Sequence, residues 1–127
     1  LEQLRLLMNF QDDDRFLLTM ILMGQPELRE LVDRHKPLAQ RICMGHHLLP
    51  LSAGETAEYA RHRLSIAGAK NANLFTPKAL VLLYEHSGGV PRRINQLADL
   101  ALLAGMSKQV KQIDEVMMQE VPASIGV

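Results

Sequence analysis

The stretch from Gly88 to Asn95 reads GGVPRRIN and separates two amphipathic segments. The glycine pair ends one helix, because residues without a Cβ readily adopt the left-handed backbone that follows a last turn. Pro91 opens the next, since its fixed φ suits a first helical position and an N–H there would be unpaired anyway. Arg92 and Arg93 therefore fall in the first turn of the second helix. Positive charge is locally unfavourable at that end, where the helix dipole is already positive. An anion such as phosphate is favoured there, because helix N-terminal amides bind one. Two kinds of partner satisfy the pair on these grounds: a surface carboxylate such as Asp99 or Glu85, or a bound anion.

The surrounding pattern from Ser52 onward is helical throughout. Ser52 and Glu55 have capping-box spacing and start a helix that runs to about Ala67, with Gly68 as its stop. Thr76-Pro77 is an N-cap followed by an N1 proline, which predicts a helix over 77–87. Beyond Pro91, the residues Ile94, Leu97, Ala98, Ala101 and Leu102 form one apolar stripe. Ile113 and Met118 are spaced as a hydrophobic staple around Asp114, which starts a last helix. Val121 to Val127 has the composition of a tail or linker.

The first third follows a different rule. Leu1, Leu4, Leu7 and Met8 share a helical face, so 2–10 is expected to be helical. Gln11–Arg15 is a polar, acidic loop, and the triplet Asp12, Asp13, Asp14 is expected to be solvated. Phe16–Met23 is a short continuous apolar run, which suits a strand buried on both faces in a parallel sheet. Pro26 opens a short helix through Asp33, and Pro37 starts a helical turn reaching Arg41. ICMGHHLL at 42–49 is expected to be a second strand. The plan is mainly α with a small α/β part: two strand–helix steps over 1–51, a four-helix unit over 52–121 and a tail over 122–127.

Composition narrows the function classes. Lys plus Arg and Asp plus Glu both number 14, so no overall charge draws the chain to nucleic acid or an anionic membrane. Apolar residues make up 47%, which argues for a packed core. Cys43 is the only cysteine, has no internal partner and fits a reducing compartment or a buried thiol. No apolar run approaches the length of a membrane span. The chain starts within a helical pattern and without Met, as expected for a piece of a longer polypeptide. There is no G-x-x-x-x-G-K-[ST] phosphate loop and no readable nucleophile–base set. His46 and His47 are adjacent and would point to opposite faces of a strand, so no metal site is expected. Arg41 follows a helical turn, where a basic residue favourably meets a helix C-terminus.

Taken in order, LEQLRLL (1–7), the apolar run with GQPEL (to 28), LAQRI (38–42), HLLPLS (47–52), ETAEYARHRL (55–64), LFTPKAL (74–80) and SGGVPRRIN (87–95) carry a resemblance. The chain resembles the distal half of an AAA+ ATPase module. More narrowly it is similar to the secretion ATPase A family, the ATPases of general secretion and pilus biogenesis. The resemblance implies the distal portion of a P-loop core (two parallel strands plus helices) over 1–51, followed by a four-helix lid over 52–121. The phosphate loop and acidic metal-binding motif would precede Leu1.

Roles follow from the same resemblance. Gln25 corresponds to sensor 1, Arg41 to an arginine finger acting on a neighbouring subunit's ATP, and Arg92 to the lid's sensor 2, with Arg93 a second candidate. Members of the family often carry Arg at the position of Gly45, so this chain either lacks that arginine's work or relies on Arg41. ATP and Mg2+ would be cofactors of the intact protein, and this piece alone is expected neither to hydrolyse ATP nor to bind it tightly. Implied partners are neighbouring AAA+ subunits and secretion or pilus assembly proteins, in the cytoplasm or at the inner membrane through other regions. Two other readings stay open. Helices 77–87 and 91–104 make a plausible helix-turn-helix, with Arg92, Arg93, Asn95 and Gln96 at a recognition helix. A non-catalytic helical interaction module using the 94–102 stripe is the third.

Overall fold

The computed structural model describes residues 2–7, 11–12, 15–16, 18–71 and 73–121. It divides into two compact units, 1–47 and 48–127.

The first unit opens with helix α1 (Glu2–Leu7) and a minimal antiparallel hairpin, β1 (Gln11–Asp12) with β2 (Arg15–Phe16). Gln11 pairs with Phe16 and Asp12 with Arg15. Asp12 is thus paired rather than in a loop, while Asp13, Asp14 and the expected helical residues 8–10 lie outside the described residues. Helix α2 (Pro26–Arg34) begins at Pro26 as its sequence predicts, and α3 (Lys36–Ala39) follows after His35. Among the described residues of this unit, Val32 and Leu38 are the buried apolar ones.

The two expected parallel strands are not formed among the described residues. Residues 18–25 and 42–52 have no regular structure. Ile21 and Met23 are 77% and 88% exposed, and Met44 and Leu48 are 87% and 85% exposed. The physical reason is pairing. A parallel strand takes its backbone hydrogen bonds and both its faces from neighbouring elements, and no described segment pairs with residues 18–25 or 42–49. The apolar run encodes burial that the described residues do not supply.

The second unit is a four-helix arrangement. Helix α4 (Ala53–Ile66) carries the expected capping box. The Glu55 amide donates to Ser52 Oγ at 3.3 Å, and the Ser52 amide donates to Glu55 Oε2 at 2.8 Å. Gly68 (φ +83°) ends it in a Schellman motif, with Ala69 N–H on the Leu64 carbonyl and Gly68 N–H on the Ser65 carbonyl, both at 3.0 Å. Helix α5 (Pro77–Ser87) has its predicted bounds, with Thr76 Oγ1 accepting from the Ala79 amide. Helix α6 (Pro91–Ser107) runs one turn past its expected end, and α7 (Glu115–Glu120) is capped by Asp114.

A parallel bridge between Phe75 and Ile113 sets α5 and α7 side by side. The Thr76 amide donates to the Ile113 carbonyl at 2.9 Å, and the Ile113 amide to the Leu74 carbonyl at 2.7 Å. Both residues of the bridge immediately precede N-caps, so the two helices start level. Lys78 and Glu115 then meet across them at 3.1 Å. The core is built from Phe75, Leu80 and Leu83 with Ile94, Leu97 and Ala101 of α6 and Ile113, Met117 and Met118 around α7. On α6 the buried positions 94, 97, 101 and 105 recur at helical spacing. No described helix is long and apolar enough to cross a membrane.

Candidate functional site

The turn between α5 and α6 is held by a chain of hydrogen bonds. Gly88 (φ +62°) caps α5 in the left-handed region and donates its amide to the Tyr84 carbonyl at 2.8 Å. Ser87 is fully buried; its hydroxyl donates to the Tyr84 carbonyl and accepts from the Gly89 amide, both at 3.2 Å. The Gly89 carbonyl in turn accepts from the Leu51 amide at 2.9 Å. Gly89 has φ +72°, and a Cβ there would run into the Leu51 carbonyl oxygen. The second glycine therefore serves a close backbone approach as well as a positive φ.

Two residues later α6 begins in an unusual electrostatic state. Its N-cap is Val90, which has no side-chain acceptor, and its first turn contains no acidic residue. Pro91 has no amide, so the free donors at this end are the amides of Arg92 and Arg93. Both arginines are exposed, and neither pairs with a carboxylate among the described residues. The carboxylate alternative, through Asp99 or Glu85, is thus not realised here. Amide donors, a positive helix end and two exposed arginines share this first turn. The donor set fits the outer oxygens of a polyphosphate; with no carboxylate in the turn, it holds nothing for a divalent cation.

Tyr59 on α4 donates its hydroxyl to Asn95 Oδ1 on α6 at 3.2 Å. This bond fixes the first turns of α6 against α4. Beside it lies a groove of about 140 Å³ whose apolar wall includes Ala60, Leu64, Ile94 and Ala98, with Arg63 and Asp99 on its lining. Sequence reading missed both the Tyr59–Asn95 bond and the Gly89–Leu51 contact. The glycine doublet was a usable signal for the second, since one glycine suffices to end a helix.

The other anticipated residues lie in the first unit. Gln25 is the N-cap of α2, exposed, with its carbonyl accepting from the Leu28 amide at 2.9 Å and its side chain making no cap bond. Arg41 is exposed and lies just beyond α3, its amide bonded to the Leu38 carbonyl at 3.0 Å. The structure thus brings Arg92 and Arg93 together on one helix end, while Gln25 and Arg41 flank the α2–α3 pair. Cys43, His46 and His47 are exposed, and no three His, Cys, Asp or Glu side chains group as metal ligands among the described residues.

Among the described residues, two carboxylates are perturbed. Hydrogen bonds from the Ser52 side chain and amide hold Glu55 below the ordinary carboxylate value. Glu115 is lowered by its own backbone amide and by Lys78. Both changes stabilise the starts of helices and serve the frame of the site.

Comparison with known proteins finds two relatives. The chain is 47% identical over 110 residues to general secretion pathway protein A of Aeromonas hydrophila, covering 85% of this chain. The chain is similar to a segment of that protein. The chain spans about one fifth of that relative's length, at 20%. It is also 29% identical over 110 residues to an uncharacterized HTH-type transcriptional regulator of Methanocaldococcus jannaschii, covering 84% of this chain and 27% of that protein. No protein-family model and no solved structure matches the chain.

Proposed function

We propose that this segment is the distal part of the AAA+ ATPase module of a secretion-pathway protein, with residues 52–121 as its helical lid and 1–51 as the end of its nucleotide-binding core. The observation that carries the reading is the start of α6: uncapped, free of acid, and bearing two exposed arginines without a carboxylate partner. Arg92 is the γ-phosphate sensor, with Arg93 beside it. Arginine suits the role because its charge is permanent and its donors are forked. Arg41 is the finger that reaches a neighbouring subunit's ATP, and Gln25 is the polar sensor at the end of the 16–23 stretch. Transfer of a phosphoryl group is catalysed mainly by such positioning and charge stabilisation. ATP and Mg2+ are held chiefly by parts of the longer protein, at the cytoplasmic face where secretion machinery assembles.

The exposed apolar stretches support the same reading. Ile21, Met23, Met44 and Leu48 lie on the two segments expected as parallel strands. In the intact protein those segments join a sheet whose other strands come from the rest of its length. The test is ATP hydrolysis by the intact protein. Arg92→Ala and Arg41→Ala each reduce turnover, by a factor approaching the roughly 10³ that an arginine at a transferring phosphate supplies, with the fold retained. Wild-type turnover in the Arg92 variant removes the sensor role.

The name of the Methanocaldococcus jannaschii relative favours a second reading, DNA binding by α5 and α6. Its recognition residues would be Arg92, Arg93 and Gln96, because Asn95 is engaged by Tyr59. Duplex binding by the chain with a steep salt dependence would support it; absence of binding at low salt eliminates it.

A further inference from the structure

We infer that the backbone contact between Gly89 and Leu51 is the positioning element that holds Arg92 on the γ-phosphate, an inference that rests on the ATPase reading above. Each end of the contact is anchored independently. Leu51 packs its side chain against the core, and the next residue, Ser52, is fixed by the capping box with Glu55. On the other side the Gly89 amide is held by Ser87 Oγ, which is tied to the Tyr84 carbonyl. From Gly89 the chain has only Val90 and the rigid Pro91 before Arg92. The arginine's place is therefore set by where Leu51 lies, at the entry of the chain into the helical unit. A bare surface turn would need neither the buried Ser87 nor a glycine too close to its neighbour for a Cβ.

Gly88 and Gly89 form a matched pair for a test. Both have φ in the left-handed region, at +62° and +72°, so alanine is strained at either. Around Gly88 there is open space, whereas a Cβ on Gly89 overlaps the Leu51 carbonyl oxygen and stands 2.9 Å from its carbon. Gly89→Ala alone must push the turn away from Leu51. A misplacement of about 1 Å can reduce catalysis by about 10²-fold.

The experiment compares Gly88→Ala, Gly89→Ala and Ser87→Ala in the intact protein, with Arg92→Ala as reference. Three quantities are read: kcat/KM for ATP, affinity for a non-hydrolysable ATP analogue against that for ADP, and hydrogen exchange at the Leu51 amide. Gly89→Ala is expected to lower kcat/KM by about 10²-fold, to weaken the ATP analogue while leaving ADP, and to deprotect Leu51. Ser87→Ala, which leaves both glycines in place, shifts all three in the same direction by less. Gly88→Ala leaves nucleotide preference and Leu51 protection near wild type. Equal losses for the two glycine variants, parallel losses of ATP analogue and ADP, or an unprotected Leu51 amide in wild type overturn the inference. If Arg92→Ala hydrolyses ATP normally while Gly89→Ala still deprotects Leu51, the contact is real and the ATPase reading is what has failed.

Discussion

Gly105 offers a sharp test of how α6 packs against the segment before α7. It is buried in the helix, and a Cβ there would stand 2.5 Å from Ile113 Cδ1, with Val110 Cγ2 at 3.4 Å and Met117 Cε at 3.7 Å. Only the first contact is prohibitive. Ile113 is itself 3% exposed and its backbone is bonded to Leu74 and Thr76, so the methyl has little freedom to retreat. Gly105→Ala therefore sets two effects against each other. Alanine in a helix interior is favoured over glycine by about 1 kcal/mol. Forcing a methyl into a filled core costs about 1–3 kcal/mol. A net destabilisation of about 1 kcal/mol is expected.

The sign reverses in a second background. Ile113→Val deletes the one atom in conflict and alone costs about 1 kcal/mol. In the double variant the remaining contacts are of ordinary length, so the helix-propensity gain offsets the lost methyl and stability returns to within about 0.5 kcal/mol of wild type. Additivity would instead give a loss of about 2 kcal/mol. Denaturant unfolding of wild type and the three variants, followed by helical circular dichroism, measures the coupling. Additive behaviour within about 0.5 kcal/mol would show that Gly105 is not held open by Ile113 and would refute the packing argument.

Other expectations concern the frame of the site. Thr56 Oγ1 is buried without a hydrogen-bond partner, so Thr56→Val should raise stability by about 1 kcal/mol in thermal unfolding, because an unpaired buried hydroxyl costs energy. Ser52→Ala removes the cap of α4 and should cost about 1 kcal/mol. Glu55 and Glu115 bind protons less readily folded than unfolded, so their stabilisation is complete above the ordinary carboxylate range and is lost as pH falls through their lowered values. Melting temperature should fall with acidification through that window, and Glu55→Gln should flatten the slope.

The helical unit was legible because its signals are local. Thr76-Pro77 and Ser52–Glu55 decide helix starts from four residues, and α5 has the bounds its sequence implies. Gly88 and Pro91 likewise place Arg92 without any tertiary information. The stretches 16–23 and 42–49 were read as strands from a pattern that reports burial on both faces, but backbone pairing depends on neighbours that the pattern does not contain. Met23 and Met44 are exposed for that reason. The partner in the Gly89–Leu51 contact was illegible for a related reason: the contact joins residues far apart in sequence through main-chain atoms, which leave no side-chain pattern beyond the extra glycine.

The arginines at the start of α6 lead to a final prediction in which stability and function oppose each other. A cation in the first turn meets the positive helix end, whereas an anion there is favourable by about 0.3–1 kcal/mol. No carboxylate in the described residues relieves Arg92 or Arg93, so this chain carries the electrostatic cost openly. Arg92→Glu should consequently raise the melting temperature of the chain at low salt. That gain should shrink at high salt, as screening weakens exposed charges. On the ATPase reading, the same substitution in the intact protein should abolish hydrolysis, since it would replace a donor to the γ-phosphate with a repelling charge. A lower melting temperature for Arg92→Glu would mean that the arginine makes a stabilising contact within the fold, and the anion it serves would then be part of the protein. A higher one, together with lost hydrolysis, identifies a residue retained for a ligand at the expense of its own helix.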